Sequence, residues 1–270
     1  MSFLPIFSLS NHFKFSFAPQ SDLFQDFAEY NSTTASGAYL FFPSGPAIPT
    51  APTALSVTIA RGPVLSEVRS SRLVSNNQTV TQSIEVTSSA SDSHVARLTI
   101  RSGGAIGENR ELVTRLFTSW PTDRRYLTDN GLFLKAREYD DSWEELDAIA
   151  SNYKPVISMA ALRLDDESAP FSRLSLATAE AHGVASLEDG ALEVMLQRRL
   201  MQDDGLGLEE GCDDQLPFDA HFALRMDTHA FGATPPRQLM VTHNNPVALF
   251  VAVNAEIRTL IVKKVMKMCI

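Results

Sequence analysis

Cysteine is scarce in this chain of 270 residues, which has only Cys212 and Cys269. Two thiols so placed give neither a disulfide framework nor the paired spacing of a zinc-binding motif. Long apolar runs are also absent from the sequence, because no run reaches the roughly 20 residues that a membrane-spanning helix needs. The apolar residues 1–9 lack a basic region and a small-residue cleavage site, so we do not expect a signal peptide there.

Positive charge is in deficit, since 23 Lys and Arg stand against 32 Asp and Glu and give a net charge of −9. A nucleic-acid groove needs clustered cations that displace counterions, so we exclude nucleic acid as a partner. The sequence also lacks a dinucleotide fingerprint, a P-loop and a hydrolase nucleophile elbow. The six histidines show no zinc-ligand spacing. We therefore expect no catalytic residue, no metal and no cofactor in this chain.

Short β-strand patterns dominate what is present. Turn signals separate them at intervals of about 8 to 12 residues, which is typical of an all-β sandwich or barrel. Strand patterns do not alternate regularly with helical patterns, so a parallel sheet is not expected. We therefore predict an all-β fold of antiparallel strands with few short helices. The strand patterns cover residues 13–17, 38–42, 55–59, 64–68, 79–87, 95–100, 126–134 (a hairpin), 156–164, 174–178, 192–196, 219–226, 247–253 and 257–262, while 111–117 fit a strand or a short helix.

Residues 142–153 carry the strongest helical pattern in the chain. Trp143, Leu146, Ile149 and Tyr153 recur near helical spacing, behind a serine that is a candidate N-cap. Taken from its own residues, the segment is open to a helix or to a loop with strand.

Residues 181–211 form the most informative stretch. Two glycine turns enclose an apolar alternating run, and this run is followed by the pairs Arg198-Arg199 and Asp203-Asp204. Pairing between these arginines and aspartates would either fix the turn or hold sugar hydroxyls. Structural ion pairing is the favoured interpretation, because ion-pair networks occur in frameworks as readily as in sites.

The same stretch resembles the C-terminal region of glycoside hydrolase family 38 α-mannosidases, whose pattern there is approximately G-x-S-S-L-x-D-G-x-L-E-V-x-x-x-R-R-L-x-x-D-D-x-R-G. Three other segments agree in order: SGAYLFFP (36–43), ARGPVLSEV (60–68) and YLTDNG (126–131). The resemblance covers roughly residues 30–226. The residues that match the long pattern are Gly183, Ser186, Leu187, Asp189, Gly190, Leu192, Glu193, Val194, Arg198, Arg199, Leu200, Asp203, Asp204 and Gly207.

The resemblance implies a galactose-mutarotase-like β-sandwich that belongs behind a catalytic β/α domain and a helical bundle. Zinc, the nucleophile and the acid are then expected in that catalytic domain, which acts in the secretory pathway (Golgi, lysosome or vacuole) on α-mannosidic bonds of N-glycans. We divide the chain into lead-in strands (1–30), the family domain (31–254) and an atypical tail (255–270) that we interpret as a truncation.

Two departures from the family pattern affect the site. The family's N-x-Y-P reads Asn152-Tyr153-Lys154-Pro155 here, so Lys154 takes the tyrosine position and Tyr153 comes one residue early. Leu206 replaces the arginine that follows the paired aspartates. The resemblance also favours loop and strand over a helix at 142–153. The candidate substrate contacts are Tyr153, Lys154, Arg198, Arg199, Asp203 and Asp204.

The sequence leaves three alternative hypotheses for function. The first is the accessory part of an α-mannosidase, inactive without a catalytic domain, with that domain and a mannose-containing carbohydrate such as an N-glycan as partners. The second is a non-catalytic carbohydrate-binding or interaction module. The third is a non-functional fragment with an exposed strand edge that promotes aggregation. Two N-glycosylation sequons, at Asn31 and Asn77, are weak support for a secretory location.

Overall fold

The computed structural model describes most of the chain as two antiparallel sheets with two helices packed on their outer faces. The predicted strands at 247–253 and 257–262, the tail at 255–270 and Cys269 lie outside the described residues. The described residues are 13–18, 21–50, 54–74, 77–87, 95–131, 133–166, 169, 171–228, 232 and 234–245.

The strands and helices follow one another along the chain with short connections. The first half contains β1 (Phe13–Ala18), β2 (Ser21–Asn31), β3 (Ile48–Pro49), β4 (Ala54–Arg61), β5 (Leu65–Leu73), β6 (Thr79–Thr87), β7 (Val95–Ser102), β8 (Arg110–Thr118), β9 (Tyr126–Asp129) and β10 (Leu134–Arg137). The second half contains α1 (Glu145–Asn152), β11 (Lys154–Val156), β12 (Met159–Arg163), β13 (Arg173–Thr178), β14 (His182–Ala185), β15 (Ala191–Leu200), β16 (Cys212–Asp213), β17 (Asp219–Asp227) and α2 (Thr234–Asn244).

The chain crosses repeatedly between the two sheets. The first sheet has the order β1-β2-β8-β15-β14-β11, with β3 paired to β2 and β16 paired to β15. The second sheet has the order β10-β9-β12-β13-β17-β7-β6-β5-β4. Every pairing between named strands in the described residues is antiparallel. The predicted all-β sandwich is therefore confirmed.

The main core lies between the two sheets, because each contributes the apolar side of its strands. Leu112 and Leu192 come from the first sheet, and Ile84, Leu98 and Leu224 come from the second. All of these side chains are buried, and the alternation of strand side chains is what brings them to one face.

Most of the sequence-predicted strands are confirmed. Residues 79–87 form β6 with the predicted bounds, and 111–117 lie within strand β8. The predicted hairpin is β9–β10, where Gly131 takes a φ of 85° and the Asn130 amide donates to the Phe133 carbonyl. A left-handed φ at this turn is readily supplied by glycine.

The strand expected at 38–42 is wrong. The Gly37 amide donates to the Leu40 carbonyl, which closes a tight turn in this segment. The Phe42 amide donates to the Ser36 hydroxyl instead of to a neighbouring strand. Tyr39 and Leu40 are exposed, so the apolar run does not mark a buried strand. We call this segment the 36–42 loop.

The expectation of loop and strand across 142–153 is also wrong, because α1 occupies residues 145–152. Ile149 and Tyr153 lie four residues apart and pack together on the outer face of the first sheet, as helical spacing predicts. Ser142 is not the N-cap, since its hydroxyl donates to Asp140 at 2.6 Å and Glu144 occupies the cap position.

The second helix, α2, covers the outer face of the second sheet through Leu239, which packs with Val95, Ala177 and Ala223. Its two prolines lie in the first turn, where a missing amide hydrogen costs no intrahelical bond. Within the described residues, neither helix has the length and apolar character needed to span a bilayer.

Candidate functional site

Strand β15 carries both candidate arginines, and a β-bulge decides where each of them points. Met195 pairs with Val113 and Gln197 pairs with Leu112, so Leu196 is an extra residue between them. Leu196 still packs against the core with Leu192 and Val194, as predicted for this run. Arg198 and Arg199 then face opposite sides of the sheet, because neighbours in a strand alternate.

Arg198 joins strand β8 to the 36–42 loop on the outer face of the first sheet. Its Nε and Nη2 atoms lie 2.9 and 2.8 Å from Oε1 of Glu111. Its Nη2 also donates to the Leu40 carbonyl at 2.6 Å. Glu111 is fully buried, and burial raises the pKa of its carboxyl while Arg198 opposes the rise. The guanidinium therefore compensates a buried charge and holds the loop.

Arg199 points to the other side and holds the connection between β7 and β8. Its Nε donates to Asp213 at 2.7 Å, and its Nη1 donates to the Ile106 carbonyl at 3.1 Å. Arg199 lowers the pKa of the Asp213 carboxyl through this bond, and Gln215 adds to the effect. Both predicted arginines thus form structural ion pairs, but with Glu111 and Asp213 instead of Asp203 and Asp204.

The paired aspartates bind backbone amides of two loops. Asp204 accepts the Tyr39 amide at 2.8 Å and the Leu206 amide at 3.1 Å, while Asp203 accepts the Gly205 amide at 3.0 Å. Asp204 therefore attaches residues 201–211, the 201–211 loop, to the 36–42 loop. A Cβ at Gly37 would lie 2.4 Å from the Asp204 Cβ, so this contact requires glycine.

Tyr153 belongs to a buried polar cluster beside Arg198. Tyr153 and Tyr30 both donate their phenolic hydroxyls to Oε1 of Glu193, which faces outward from β15. The Phe41 ring of the 36–42 loop packs edge-on to both tyrosines, with ring centroids 5.0 and 5.2 Å away. Burial raises the pKa of Glu193, and the two phenols oppose the rise. Burial likewise raises the pKa of Tyr153.

An ion pair between Asp26 of β2 and Arg115 of β8 lies next to this cluster. Arg115 binds Asp26 through two parallel bonds of 2.8 and 2.6 Å, and both side chains are nearly buried. Such a bidentate pair fixes the orientation of both groups. On the outer face of the first sheet, Asp26, Glu111 and Glu193 are thus each engaged by an arginine or by tyrosine hydroxyls, although Oε2 of Glu111 is buried without a hydrogen-bond partner.

Lys154 opens β11, directly after Tyr153. Its Nζ donates to the Ser151 carbonyl at 2.5 Å, and its backbone pairs with Val184 of β14. Tyr153 is the C-cap of α1, whereas Lys154 is the first residue of β11, so the two neighbours belong to different elements.

The 36–42 loop and the 201–211 loop expose apolar side chains although hydrogen bonds join them. We call this set the loop patch. Asp204 and Gln202 join the two loops by hydrogen bonds, which brings their exposed apolar side chains to the same region of the surface, and exposed apolar surface is a feature of interaction sites in soluble proteins. Its members, with their exposed fractions, are Tyr39 (60%), Leu40 (44%), Met201 (45%), Leu206 (54%) and Leu208 (45%).

The structure brings together three of the six predicted site residues. Tyr153, Arg198 and Asp204 all contact the 36–42 loop, whereas Arg199 faces the β7–β8 connection. Asp203 contacts its own loop and Lys154 contacts the end of α1. Contact between these six residues and a substrate stays a prediction.

Glu111 and Glu193 are not among the predicted site residues, although Glu193 belongs to the matched family pattern. A charged residue that alternates with apolar ones predicts a solvent-exposed strand face. Here α1 and the 36–42 loop cover that face, and this covering cannot be predicted from the residues of the strands themselves. Among the described residues, no group of three or more His, Cys, Asp or Glu is positioned to hold a metal ion.

Comparison with known protein families identifies the family to which this sandwich belongs. The family model described as the glycosyl hydrolases family 38 C-terminal domain matches residues 16–206. This chain belongs to that family. An α-mannosidase of Canavalia ensiformis is 36% identical over 200 residues, which cover 71% of this chain and 19% of the relative. A lysosomal α-mannosidase of Dictyostelium discoideum is 31% identical over 70% of this chain and 19% of its own length.

A solved structure supports the fold of this family 38 domain. An α-mannosidase from Enterococcus faecalis V583 superposes with a TM-score of 0.59, covering 83% of this chain and 28% of that chain at 13% identity. The chain thus spans about a fifth of the length of the curated relatives named above.

The Asp-Gly step of the family 38 pattern has a structural explanation. Asp189 accepts the amides of Thr122 and Asp123 at 2.7 Å each, which ties the β14–β15 turn to the chain after β8. Gly190 has a φ of 71°, and a Cβ there would lie 2.7 Å from the carbonyl oxygens of Thr118 and Trp120. Glycine is therefore required by both conformation and space.

Proposed function

We propose that this chain is the accessory β-sandwich of a family 38 α-mannosidase and works with a catalytic domain that cleaves α-mannosidic bonds in N-glycans or related mannose-containing carbohydrates. The observation that carries the proposal is the match of residues 16–206 to the C-terminal domain family, together with relatives named α-mannosidases of which the matched segment covers about a fifth. Zinc and the nucleophile are assigned to the catalytic domain.

The loop patch is the proposed contact with that domain. Tyr and Met side chains are enriched at protein interfaces, and Tyr39 and Met201 are exposed on these two fixed loops beside three exposed leucines. Arg198 and Asp204 fix the loops through hydrogen bonds to Leu40 and Tyr39. Little conformational entropy of the loops is therefore lost when a partner binds their apolar side chains. This fits a support role better than a catalytic role for the paired arginines and the paired aspartates.

The secretory pathway is the proposed location, in the Golgi or the lysosome. The name of the Dictyostelium relative, a lysosomal α-mannosidase, supports this location.

Reconstitution tests this function. The Canavalia α-mannosidase is prepared without the segment that matches this chain, and its own segment serves as the positive control. We expect this chain alone to leave an aryl α-mannoside intact, and we expect it to bind the shortened enzyme and restore hydrolysis. Replacing Leu206 and Leu208 together by Asp should weaken binding about tenfold or more, because interface anchors carry most of the affinity.

Val64→Asp is the matched control. Val64 is 72% exposed and lies in the β4–β5 turn, at the end of the sandwich away from Ser102 and the 201–211 loop. It should leave binding unchanged. Zinc-dependent hydrolysis by the chain alone, or equal binding by both variants, would refute the proposal. Mannose oligosaccharide binding by the isolated chain in calorimetry would favour the carbohydrate-binding alternative.

A further inference from the structure

The two N-glycosylation sequons occupy different structural settings. Asn31 is the last residue of β2 and pairs with Arg110 of β8. Its carbonyl accepts the Ser44 amide at 2.7 Å, and the next residue, Ser32, bridges to Pro43. The Asn31 Oδ1 atom is buried. Asn31 is only partly exposed and lies within paired backbone, between β8 and the segment around Pro43, so its side chain is less accessible than that of an exposed turn residue.

Asn77 is exposed in the turn between β5 and β6. Its φ of 55° is a left-handed conformation, which asparagine tolerates better than most residues. The Val74 amide donates to the Gln78 carbonyl at 2.8 Å, which anchors the turn. Thr79, the third residue of the sequon, begins β6 and is partly exposed. The amide of Asn77 and the hydroxyl-bearing residue that the sequon needs are therefore both at the surface.

We propose that Asn77 is an N-glycan acceptor and that Asn31 is not, which rests on the secretory location given under the proposed function. The donor is a lipid-pyrophosphate-linked oligosaccharide, and an oligosaccharyltransferase catalyses the transfer. The Asn77 Nδ2 attacks the anomeric carbon of the sugar, so a carbon–nitrogen bond forms and the bond from that carbon to the pyrophosphate oxygen breaks. The pyrophosphate leaves with the electron pair, and the amide nitrogen loses one proton to the surrounding water.

The test uses the full chain behind a cleavable secretion signal, translated in the presence of microsomal membranes. Only protease-protected chain is analysed, so that failure of import is not scored. We expect one increase in apparent mass that a peptide N-glycosidase reverses, with Asn converted to Asp at position 77 in the peptide mass spectrum.

Matched variants locate the acceptor, and those at Asn77 and Thr79 are chosen to suit the local backbone. Asn77→Asp keeps a residue that tolerates the left-handed turn, and Thr79→Val keeps the β-branched shape at the start of β6. Both should lose the mass increase, whereas Thr79→Ser keeps the sequon and should retain it. Thr33→Val, which removes the Asn31 sequon, should change nothing.

An unmodified protected chain would overturn the proposal, and so would a mass increase that survives Asn77→Asp and is lost with Thr33→Val. The result is independent of α-mannosidase association, because transfer needs only entry into the membrane compartment. Failure of this test and failure of the reconstitution are therefore distinguishable.

Discussion

Arg198 and Glu111 show how much one side chain depends on another in this protein. Glu111 is fully buried, and the Arg198 side chain, which is 20% exposed, supplies its compensating charge. A buried pair contributes little net stability relative to apolar residues of the same shape, because both charges lose their hydration. Removing only one partner is different, since the remaining charge has neither water nor counter-ion.

Arg198→Ala is therefore expected to lower the free energy of unfolding by about 3 kcal/mol or more, as found for broken buried ion pairs. The double variant Arg198→Met with Glu111→Leu should lose much less, because no charge stays buried. Denaturant unfolding of the three proteins measures both values. Arg69→Ala, which breaks an exposed pair with Glu67, is the control and should have a much smaller effect. Equal losses for Arg198→Ala and Arg69→Ala would contradict the assignment.

Glu193 gives a pH prediction at the same scale. Tyr30, Tyr153 and Arg115 face its carboxylate, with Glu188 nearby, and burial is the main cause of its raised pKa. A raised folded pKa means that the folded chain binds a proton more tightly than the unfolded chain. The contribution of Glu193 to stability therefore grows as pH falls through the folded pKa, and is lost as pH rises through it.

We expect the wild type to gain stability relative to Glu193→Gln on going from pH 8 to about pH 5, close to the ordinary range of a glutamate carboxyl. Gln keeps an acceptor for both phenols, so packing is preserved. Because His182 and the other titrating groups are present in both proteins, the difference isolates Glu193. Denaturant midpoints across this range measure it, and a difference that does not vary with pH would disprove the assignment.

Among the elements, α1 is the one on which the polar cluster depends. Its last residue precedes Tyr153, and Ile149 packs with Tyr30 and Val113 under the 36–42 loop. Helical spacing in residues 142–153 indicates this element correctly from the sequence alone. The family resemblance favours loop and strand there, and this expectation is wrong because α1 occupies residues 145–152.

Ala150→Pro should destabilise the protein by about 3 kcal/mol, because proline inside a helix removes one hydrogen bond and clashes with the preceding turn. Ala150→Gly is the matched control and should cost about 1 kcal/mol through backbone entropy. Urea unfolding followed by circular dichroism reports the loss of stability. If the two variants unfold at the same urea concentration, α1 does not hold the cluster.

At the scale of the whole molecule, strand content and the sandwich class are readable from the sequence. Alternation at 79–87 and 219–226 predicts strands because each of these has a core face and an outer face. Glycine turns at Gly131 and Gly190 predict where strands reverse. These are local signals, and local chemistry is sufficient to produce them.

The candidate site is much less predictable, because its contacts join distant parts of the chain. Asp204 binds the Tyr39 amide across 165 positions, and Tyr30 binds Glu193 across 163. Ion pairs of Arg198 and Arg199 are foreseeable as a class, but their partners Glu111 and Asp213 depend on strand order and on the bulge at Leu196. Sheet order is a global property, so composition and spacing do not determine it.

The contact between Gly37 and Asp204 restricts which substitutions these two positions can accept during evolution. No side chain fits at position 37 while the Asp204 Cβ lies where it does. A descendant that acquires alanine at 37 must in the same lineage shorten or relocate residue 204, or else lose the joint between the loops. Substitutions at these two positions should therefore arrive together across related genes, so that the loop patch diverges as one heritable unit.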